Sequence, residues 1–224
     1  NKQGRIVANH IAGKKDGYKG TQGTSIVKLF DLTVAATGNN EKTLKRYGIP
    51  YEKSYTHSDS HAGYYPGALP MAIKLLFRPD DGRILGAQIV GYDGVDKRID
   101  VMATAIRAGM TVYDLQELEL AYAPPFSAAK DPVNIAGYVA SNIMNGDVEV
   151  IHWDEMDSLD PEESLLLDVR TRQEHRQYNI PNSMNIPLDE LRQRMAELPK
   201  HKEIIVYCQA GLRGYVACRI LSQS

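Results

Sequence analysis

Cysteine is scarce in this 224-residue chain, which has only Cys208 and Cys218. Two thiols cannot build a disulfide framework, and one of them stands in a reactive setting. A reducing compartment, and so a cytoplasmic location, is expected. Charge of one sign is lacking too: 26 basic and 28 acidic side chains leave a net charge of −2, with both signs spread along the chain. No nucleic-acid or membrane surface is expected from that balance. No apolar run approaches the length of a membrane span, and Asn1-Lys2-Gln3-Gly4-Arg5 is not a signal peptide. Internal repeats and low-complexity tracts are missing. No Gly-x-Gly-x-x-Gly follows a strand, which excludes a dinucleotide-binding βαβ unit. His57 and His61 stand four apart in a Ser-rich loop with no third ligand nearby, so no metal site is expected. Position 1 is not Met and Ser224 falls inside a helical pattern, so the chain is expected to be part of a longer polypeptide. The length suits one large or two modest domains.

What is present is organised around residues 202–221. Ile204-Ile205-Val206-Tyr207 is a short β-branched and aromatic run, the pattern of a buried strand. Val216, Ile220 and Leu221 are spaced as one apolar face of a helix. Between them runs Cys208-Gln209-Ala210-Gly211-Leu212-Arg213-Gly214. A thiol at a strand end before a helix faces unpaired backbone N–H groups and the positive end of the helix dipole, a setting that favours the nucleophilic thiolate. Arg213 adds a fixed charge and a planar donor fork, and Ala210 and Gly211 let the backbone curl around whatever the sulfur carries. An inert buried cysteine rarely sits in a Gly-containing, Arg-closed turn. Cys218, mid-helix among apolar residues, reads as a core cysteine.

Earlier in the chain a helix is expected over residues 1–12, then a Gly/Thr connector over 18–24. Strands follow at 25–30, 71–77 and 84–91, with strand or turn at 31–38. The turn Pro79-Asp80-Asp81-Gly82 makes the last two strands a hairpin. Helices are expected at 41–47 with Asn39 as cap, at 95–109, at 114–120 and at 131–144. In the 95–109 helix, Ile99, Met102, Ala103, Ile106 and Ala108 fall at core spacing. Tyr122-Ala123-Pro124-Pro125-Phe126 is a Pro-rich break. His152-Trp153 is expected to open a second domain as an edge strand, with Trp153 anchoring the linker. The acidic stretch 154–163 reads as a solvated helix or turn. The fold class expected is an α+β domain, an antiparallel sheet with helices, followed by a smaller α/β domain with a parallel sheet.

The Cys208–Gly214 loop resembles the rhodanese active-site loop. Asp168-Val169-Arg170, Glu174, Ile180-Pro181 and Asn185-Ile186-Pro187-Leu188 resemble that family's preceding segments, although Tyr178-Asn179 stands where a Gly-His pair is usual. Four residues separate Cys208 from Arg213, one fewer than in tyrosine-phosphatase loops, so the cradle suits a persulfide sulfur better than a phosphate. Asp168 and Arg170 are assigned to fixing the turn beside the loop. Residues 25–146 resemble the dimerisation domain of the pyridine-nucleotide-disulfide oxidoreductases, most specifically in Gly86-Ala87-Gln88-Ile89-Val90-Gly91, the 96–109 helix and the Tyr122–Phe126 break. Residues 1–24 resemble the exit from that family's FAD domain, and 147–224 a C-terminally truncated rhodanese-like domain. The fusion resembles the coenzyme A-disulfide reductase branch, which includes NADH-dependent persulfide reductases.

That resemblance implies a homodimer through residues 25–146 and FAD, NAD(P)H and coenzyme A in the full-length protein, with none of them bound by this chain alone. Its substrate would be a small thiol, disulfide, persulfide or polysulfide. Cys208 would carry sulfane sulfur, cradled by Gln209, Ala210, Gly211, Leu212 and Gly214 and stabilised by Arg213. Tyr64 and Tyr122 would hydrogen-bond a thiolate in the active site, with Tyr65 an alternative to Tyr64. Ala123, Pro124 and Pro125 would lie near the flavin of the partner subunit. A stand-alone sulfurtransferase or docking module without redox coupling is the competing reading, and a small cysteine phosphatase is disfavoured by the loop length.

Overall fold

A computed structural model describes residues 2–223; Asn1 and Ser224, expected at the start of the first helix and the end of the last, lie outside the described residues. Helix α1 (Lys2–Ile11) buries none of its residues. A connector then leads to five antiparallel strands: β1 (Ser25–Leu29), β2 (Leu32–Gly38), β3 (Glu52–Asp59), β4 (Pro70–Phe77) and β5 (Ile84–Gly91). They are ordered β1-β2-β5-β4-β3. The Asp-Gly turn makes the β4–β5 hairpin, and Gly82 there takes a φ of 71°. Gly86 marks a close crossing: a Cβ there would lie 1.9 Å from the Asn39 carbonyl oxygen, so only glycine fits.

Helices α2 (Glu41–Arg46), α3 (Val95–Ala108), α4 (Val112–Gln116) and α5 (Pro132–Met144) complete this region. Ile73, Leu75, Phe77 and Ile89 of the sheet, Ile99 and Met102 of α3, and Val133, Ala136 and Ala140 of α5 close one core. Three expectations shift. Asn40, not Asn39, caps α2, accepting from the Thr43 N–H at 2.9 Å. The Asn39 N–H is bound to the Leu85 carbonyl. Helix α4 starts earlier than expected, because Thr111 and Asp114 form a capping box. The buried face of α3 includes Arg98 and Ala105, while Ala103 is half-buried and Ala108 exposed. Its axis is therefore rotated from the expected face so that a guanidinium can enter the interior.

The second domain is a three-stranded parallel sheet ordered β7-β6-β8. Its elements are β6 (Ser164–Asp168), α6 (Arg172–Gln177), β7 (Met184–Asn185), α7 (Leu188–Arg194), β8 (Glu203–Tyr207) and α8 (Leu212–Leu221). Leu167, Val169, Ile186, Leu191, Ala217 and Ile220 form its core. The buried face of α8 is Gly214, Ala217 and Ile220, while Val216, expected inside, is exposed.

Residues 152–153 are not an edge strand. His152 caps a 3-10 helix, Trp153–Ser158, because Glu155 closes back on its N–H at 2.7 Å. Trp153 is 78% exposed and anchors nothing among the described residues. The contact with the first domain is made by its neighbours: His152 packs edge-on to Tyr55 with ring centroids 6.0 Å apart, and Lys53 pairs with Asp154 at 3.0 Å. Arg219 of α8 reaches the carboxylate of Asp147 at 3.1 Å. Lys53 also lies 3.4 Å from Glu41, whose carboxylate binds Lys74 and Tyr51 as well. Burial pushes the Glu41 carboxyl up, but the bonds from Lys74 and Tyr51 outweigh it and hold it at about 2.

Candidate functional site

Strand β8 ends at Tyr207 and α8 begins at Leu212, so Cys208 stands at the strand's C-terminal end, where a parallel sheet presents a loop to solvent. Gly211 takes a φ of 115°, a left-handed turn that curls the backbone back over the sulfur. The N–H groups of Gly211 and Gly214 both donate to Cys208 Sγ at 3.2 Å. Two oriented N–H groups at a helix N-terminus are what a sulfur anion accepts from. A Cβ at Gly214 would meet Sγ at 3.7 Å, an ordinary contact, so the sulfur itself leaves room there.

The Arg213 fork is not aimed at the sulfur. It is bidentate to Glu174, with Nη1 and Nη2 at 2.8 and 2.7 Å from the two carboxylate oxygens. Glu174 also closes the cap of α6, accepting from the Thr171 N–H and hydroxyl at 2.9 and 2.7 Å. The Arg213 guanidinium holds the Glu174 carboxyl well below the usual carboxylate range. Both bonds of the Arg213 guanidinium go to Glu174, and neither goes to Cys208. Glu174, read from sequence only as part of a resembling segment, is the residue that orients it.

Beneath the loop, Asp168 is fully buried and binds Arg170 through Nε and Nη2, at 2.9 and 2.8 Å, and His175 Nδ1 at 2.9 Å. Burial raises the Asp168 carboxyl, but the Arg170 side chain and backbone N–H and His175 outweigh it and hold it at about 2. Arg170 also donates to the Tyr178 carbonyl at 2.6 Å and lies over the Tyr207 ring at 5.5 Å. Tyr207 Oη in turn accepts from the Ile180 N–H at 3.1 Å. This network ties β6, α6 and the segment before β7 to β8, the strand that leads into Cys208. Cys218 is half-buried on α8, and burial pushes its thiol up.

A second constellation lies on the first domain. Tyr64 Oη and Tyr122 Oη meet at 3.1 Å, though both side chains are exposed at 77% and 48%. The bond to Tyr64 raises the Tyr122 phenol above its ordinary value. Tyr65 turns away and packs edge-on to His61, with centroids 5.9 Å apart. The turn after Tyr122 is closed by the Ala123 carbonyl, which accepts from Phe126 and Ser127. Ala123 and Pro124 are half-buried there and Pro125 is exposed. His61 places its ring nitrogens 3.2 Å from Ser60 Oγ and 3.3 Å from the Pro66 carbonyl. Among the described residues no group of three or more His, Cys, Asp or Glu could hold a metal ion. Nor is any helix among them long and apolar enough to cross a membrane.

Residues 24–132 match the dimerisation domain of the pyridine nucleotide-disulphide oxidoreductases, and residues 152–223 match the rhodanese-like domain. A coenzyme A disulfide reductase of Staphylococcus epidermidis is 41% identical over 136 residues, 60% of this chain and 31% of that protein. One from Staphylococcus aureus is 43% identical over the same length. The crystal structure of reduced Bacillus anthracis CoADR-RHD superposes with a TM-score of 0.96 at 57% identity, covering all of this chain and 40% of that one. A NAD-dependent persulfide reductase from A. fulgidus matches with a TM-score of 0.87 at 41% identity, covering 99% of this chain and 40% of that one. The chain thus spans about a third of the length of the curated relatives it matches.

Proposed function

We infer that this chain, a pyridine nucleotide-disulphide oxidoreductase dimerisation domain followed by a rhodanese-like domain, is the sulfur-relay and dimer-forming portion of a reductase of CoA disulfide, CoA persulfide or polysulfide. The domains are taken as residues 25–146 and 147–224, after a segment 1–24 that leaves an FAD domain. The carrying observation is the pair of N–H groups on Cys208 Sγ.

The Cys208 thiolate attacks the outer sulfur of a persulfide, a new S–S bond forms, and the donor leaves as its thiolate. Cys208 then carries the transferred sulfur as a persulfide anion. The N–H groups of Gly211 and Gly214 bind that anion, while Gln209, Ala210 and Leu212 form the rest of the cradle and the Arg213 charge favours it. An acceptor thiol such as that of coenzyme A takes the outer sulfur and returns Cys208 to the thiolate.

Tyr64 and Tyr122 are read as a phenol pair that donates hydrogen bonds to a thiolate produced at the reductase centre. Either phenol can donate to the other, which leaves the second hydroxyl hydrogen free for a thiolate. Ala123, Pro124 and Pro125 would stand near the flavin of the partner subunit in a homodimer built through residues 25–146. FAD and NAD(P)H would supply the reducing electrons in the full-length protein. The strand-to-helix glycine loop after β8 is filled by Cys208 Sγ, and no Gly-x-Gly-x-x-Gly follows any strand. The dinucleotides are therefore assigned to the part of the relatives that this chain does not cover. A cytoplasmic location accords with free cysteines at 208 and 218.

Cyanide removes sulfane sulfur as thiocyanate and so tests the relay. With polysulfide and cyanide, the full chain is expected to form thiocyanate faster than the uncatalysed reaction, and Cys208→Ala is expected to add nothing to that background. Thiocyanate at an equal rate from both proteins would overturn the relay.

A further inference from the structure

We propose that Arg98 is a positioning residue for the tyrosine pair, its buried guanidinium fixing the two loops that carry Tyr64 and Tyr122 at the spacing that lets their phenols act as one hydrogen-bonded unit. The inference rests on the reading of those phenols as a donor pair and adds to it the side chain that assembles them.

Arg98 sits in the first turn of α3 and is 1% exposed, the largest of the fully buried side chains. From there it reaches both tyrosine loops. Nη2 donates to the Ser60 carbonyl at 2.8 Å, where the loop bearing Tyr64 begins. The same nitrogen donates to Ser127 Oγ at 3.3 Å, where the turn after Tyr122 ends. Nη1 donates to the Gly94 carbonyl at 3.2 Å. The two loops are also joined directly, by the Ala62 N–H donating to the Ser127 carbonyl at 3.0 Å. The Ser60 loop is closed on itself by Ser60 and Leu69, whose backbones bond at 2.8 Å. With both loop roots held, the phenols they carry meet at 3.1 Å although 58 residues separate them in sequence.

The counter-charge is Asp131, the cap of α5, which binds Arg98 Nη2 at 2.9 Å and Ser127 Oγ at 2.5 Å. Burial pushes the Asp131 carboxyl up, but Arg98 and Ser127 more than offset that and keep it charged. Lys97 adds a rim contact, 3.8 Å from Asp131 and 3.4 Å from the Ala121 carbonyl next to Tyr122. The chain leaves room for this arrangement: a Cβ at Gly94 would stand 2.1 Å from Arg98 Nη1.

A buried ion pair is weak evidence of stabilisation, since well-packed apolar residues often serve as well. A guanidinium offers something apolar packing cannot, several donors in fixed directions within one plane. Here those donors address three separate segments, and two of them carry the phenols.

The test follows the Tyr122 phenol titration by NMR in the full chain labelled at tyrosine Cζ. Wild type, Tyr64→Phe and Arg98→Lys are compared, with Arg98→Met/Asp131→Asn as a second variant that leaves no buried charge unpaired. Tyr64→Phe is expected to lower the Tyr122 titration point, because it removes the phenol that raises it. Arg98→Lys keeps one positive charge beside Asp131 but cannot reach Ser60 and Ser127 together. It is expected to produce the same downward shift, with Tyr113, bound to Asn145 at 3.0 Å, unmoved. A lower melting temperature with Tyr122 still titrating as in wild type, in either Arg98 variant, would make Arg98 a structural residue only and overturn the proposal. Failure of Cys208 to carry sulfur would count against the relay and leave this titration untouched, so the two failures are distinguishable.

Discussion

Cys208 takes its donors from the loop it begins, Gly211 and Gly214 lying three and six residues ahead of it. Tyr64 and Tyr122 meet across 58 residues, brought together by loops rooted on a buried arginine from a third element. The thiol site is thus local, made of backbone and carried by one strand–loop–helix unit. The phenol site is tertiary, made of side chains and open to solvent. A local site of backbone donors tolerates little change inside its loop and is largely indifferent to the distant domain. A tertiary site keeps its fold when a phenol is trimmed but loses its geometry when the arginine that ties its loops is altered.

The largest expected effect would break this contrast if it failed to appear. Cys208→Ser should abolish sulfur uptake while leaving thermal stability within about 0.5 kcal/mol, the range for substitutions that disturb no packing. Tyr64→Phe and Tyr122→Phe should leave sulfur uptake on Cys208 unchanged, as read by thiocyanate release. A large loss in either tyrosine variant would mean that the two sites are not separate.

Next in size is the support beneath the loop. Asp168→Asn leaves Arg170 buried without its counter-charge and is expected to cost roughly 3–5 kcal/mol, measured by urea unfolding. The pH dependence has a definite sign. Asp168 titrates at about 2 in the folded protein against an ordinary 3.8, so its contribution is fully present above pH 3.8 and is lost as pH falls through that window towards 2. The Asn variant should lose that share of the acid-side slope, whereas an unchanged slope would remove Asp168 from the account.

Gly211→Ala should be smaller, about 1–3 kcal/mol, because a Cβ strains the backbone at a φ of 115°. It should also slow sulfur uptake, since the strained turn holds one of the two donors on Sγ. A fully active, equally stable Ala variant would show that the donors tolerate movement. The smallest effect belongs to the domain contact. Lys53→Met, which removes the pair with Asp154, should cost about 1 kcal/mol or less by thermal melting.

How far each site could be read from sequence follows the same division. The strand–Cys–loop–helix unit is contiguous, so its strand, its glycine and its arginine could be read in place, though not which face of its helix is buried. What the sequence hid there was the partner of Arg213: Glu174 lies 39 residues away, and only the fold brings its carboxylate onto the fork. The β4–β5 hairpin was legible because its apolar runs and Asp-Gly turn are local signals, whereas β3 was not read as a strand. The start of α4 is set by Thr111 and Asp114, whose capping-box spacing lies ahead of the helix expected at 114–120. Trp153 reads as the linker anchor of an edge strand, yet Glu155 caps the N–H before it and the ring lies in solvent. Arg98 was invisible as an interior residue, since a basic side chain in an amphipathic helix reads as solvent-facing until its partner Asp131 is seen.

The most direct measurement is the intact mass of the full chain after exposure to polysulfide, with Cys208→Ser beside it. The account predicts a gain of about 32 Da, one sulfur, on the wild-type protein, lost on treatment with cyanide or coenzyme A and absent from the serine variant. A folded wild-type chain that gains no sulfur, or a serine variant that gains the same mass, would contradict the claim that Cys208 is the sulfur carrier.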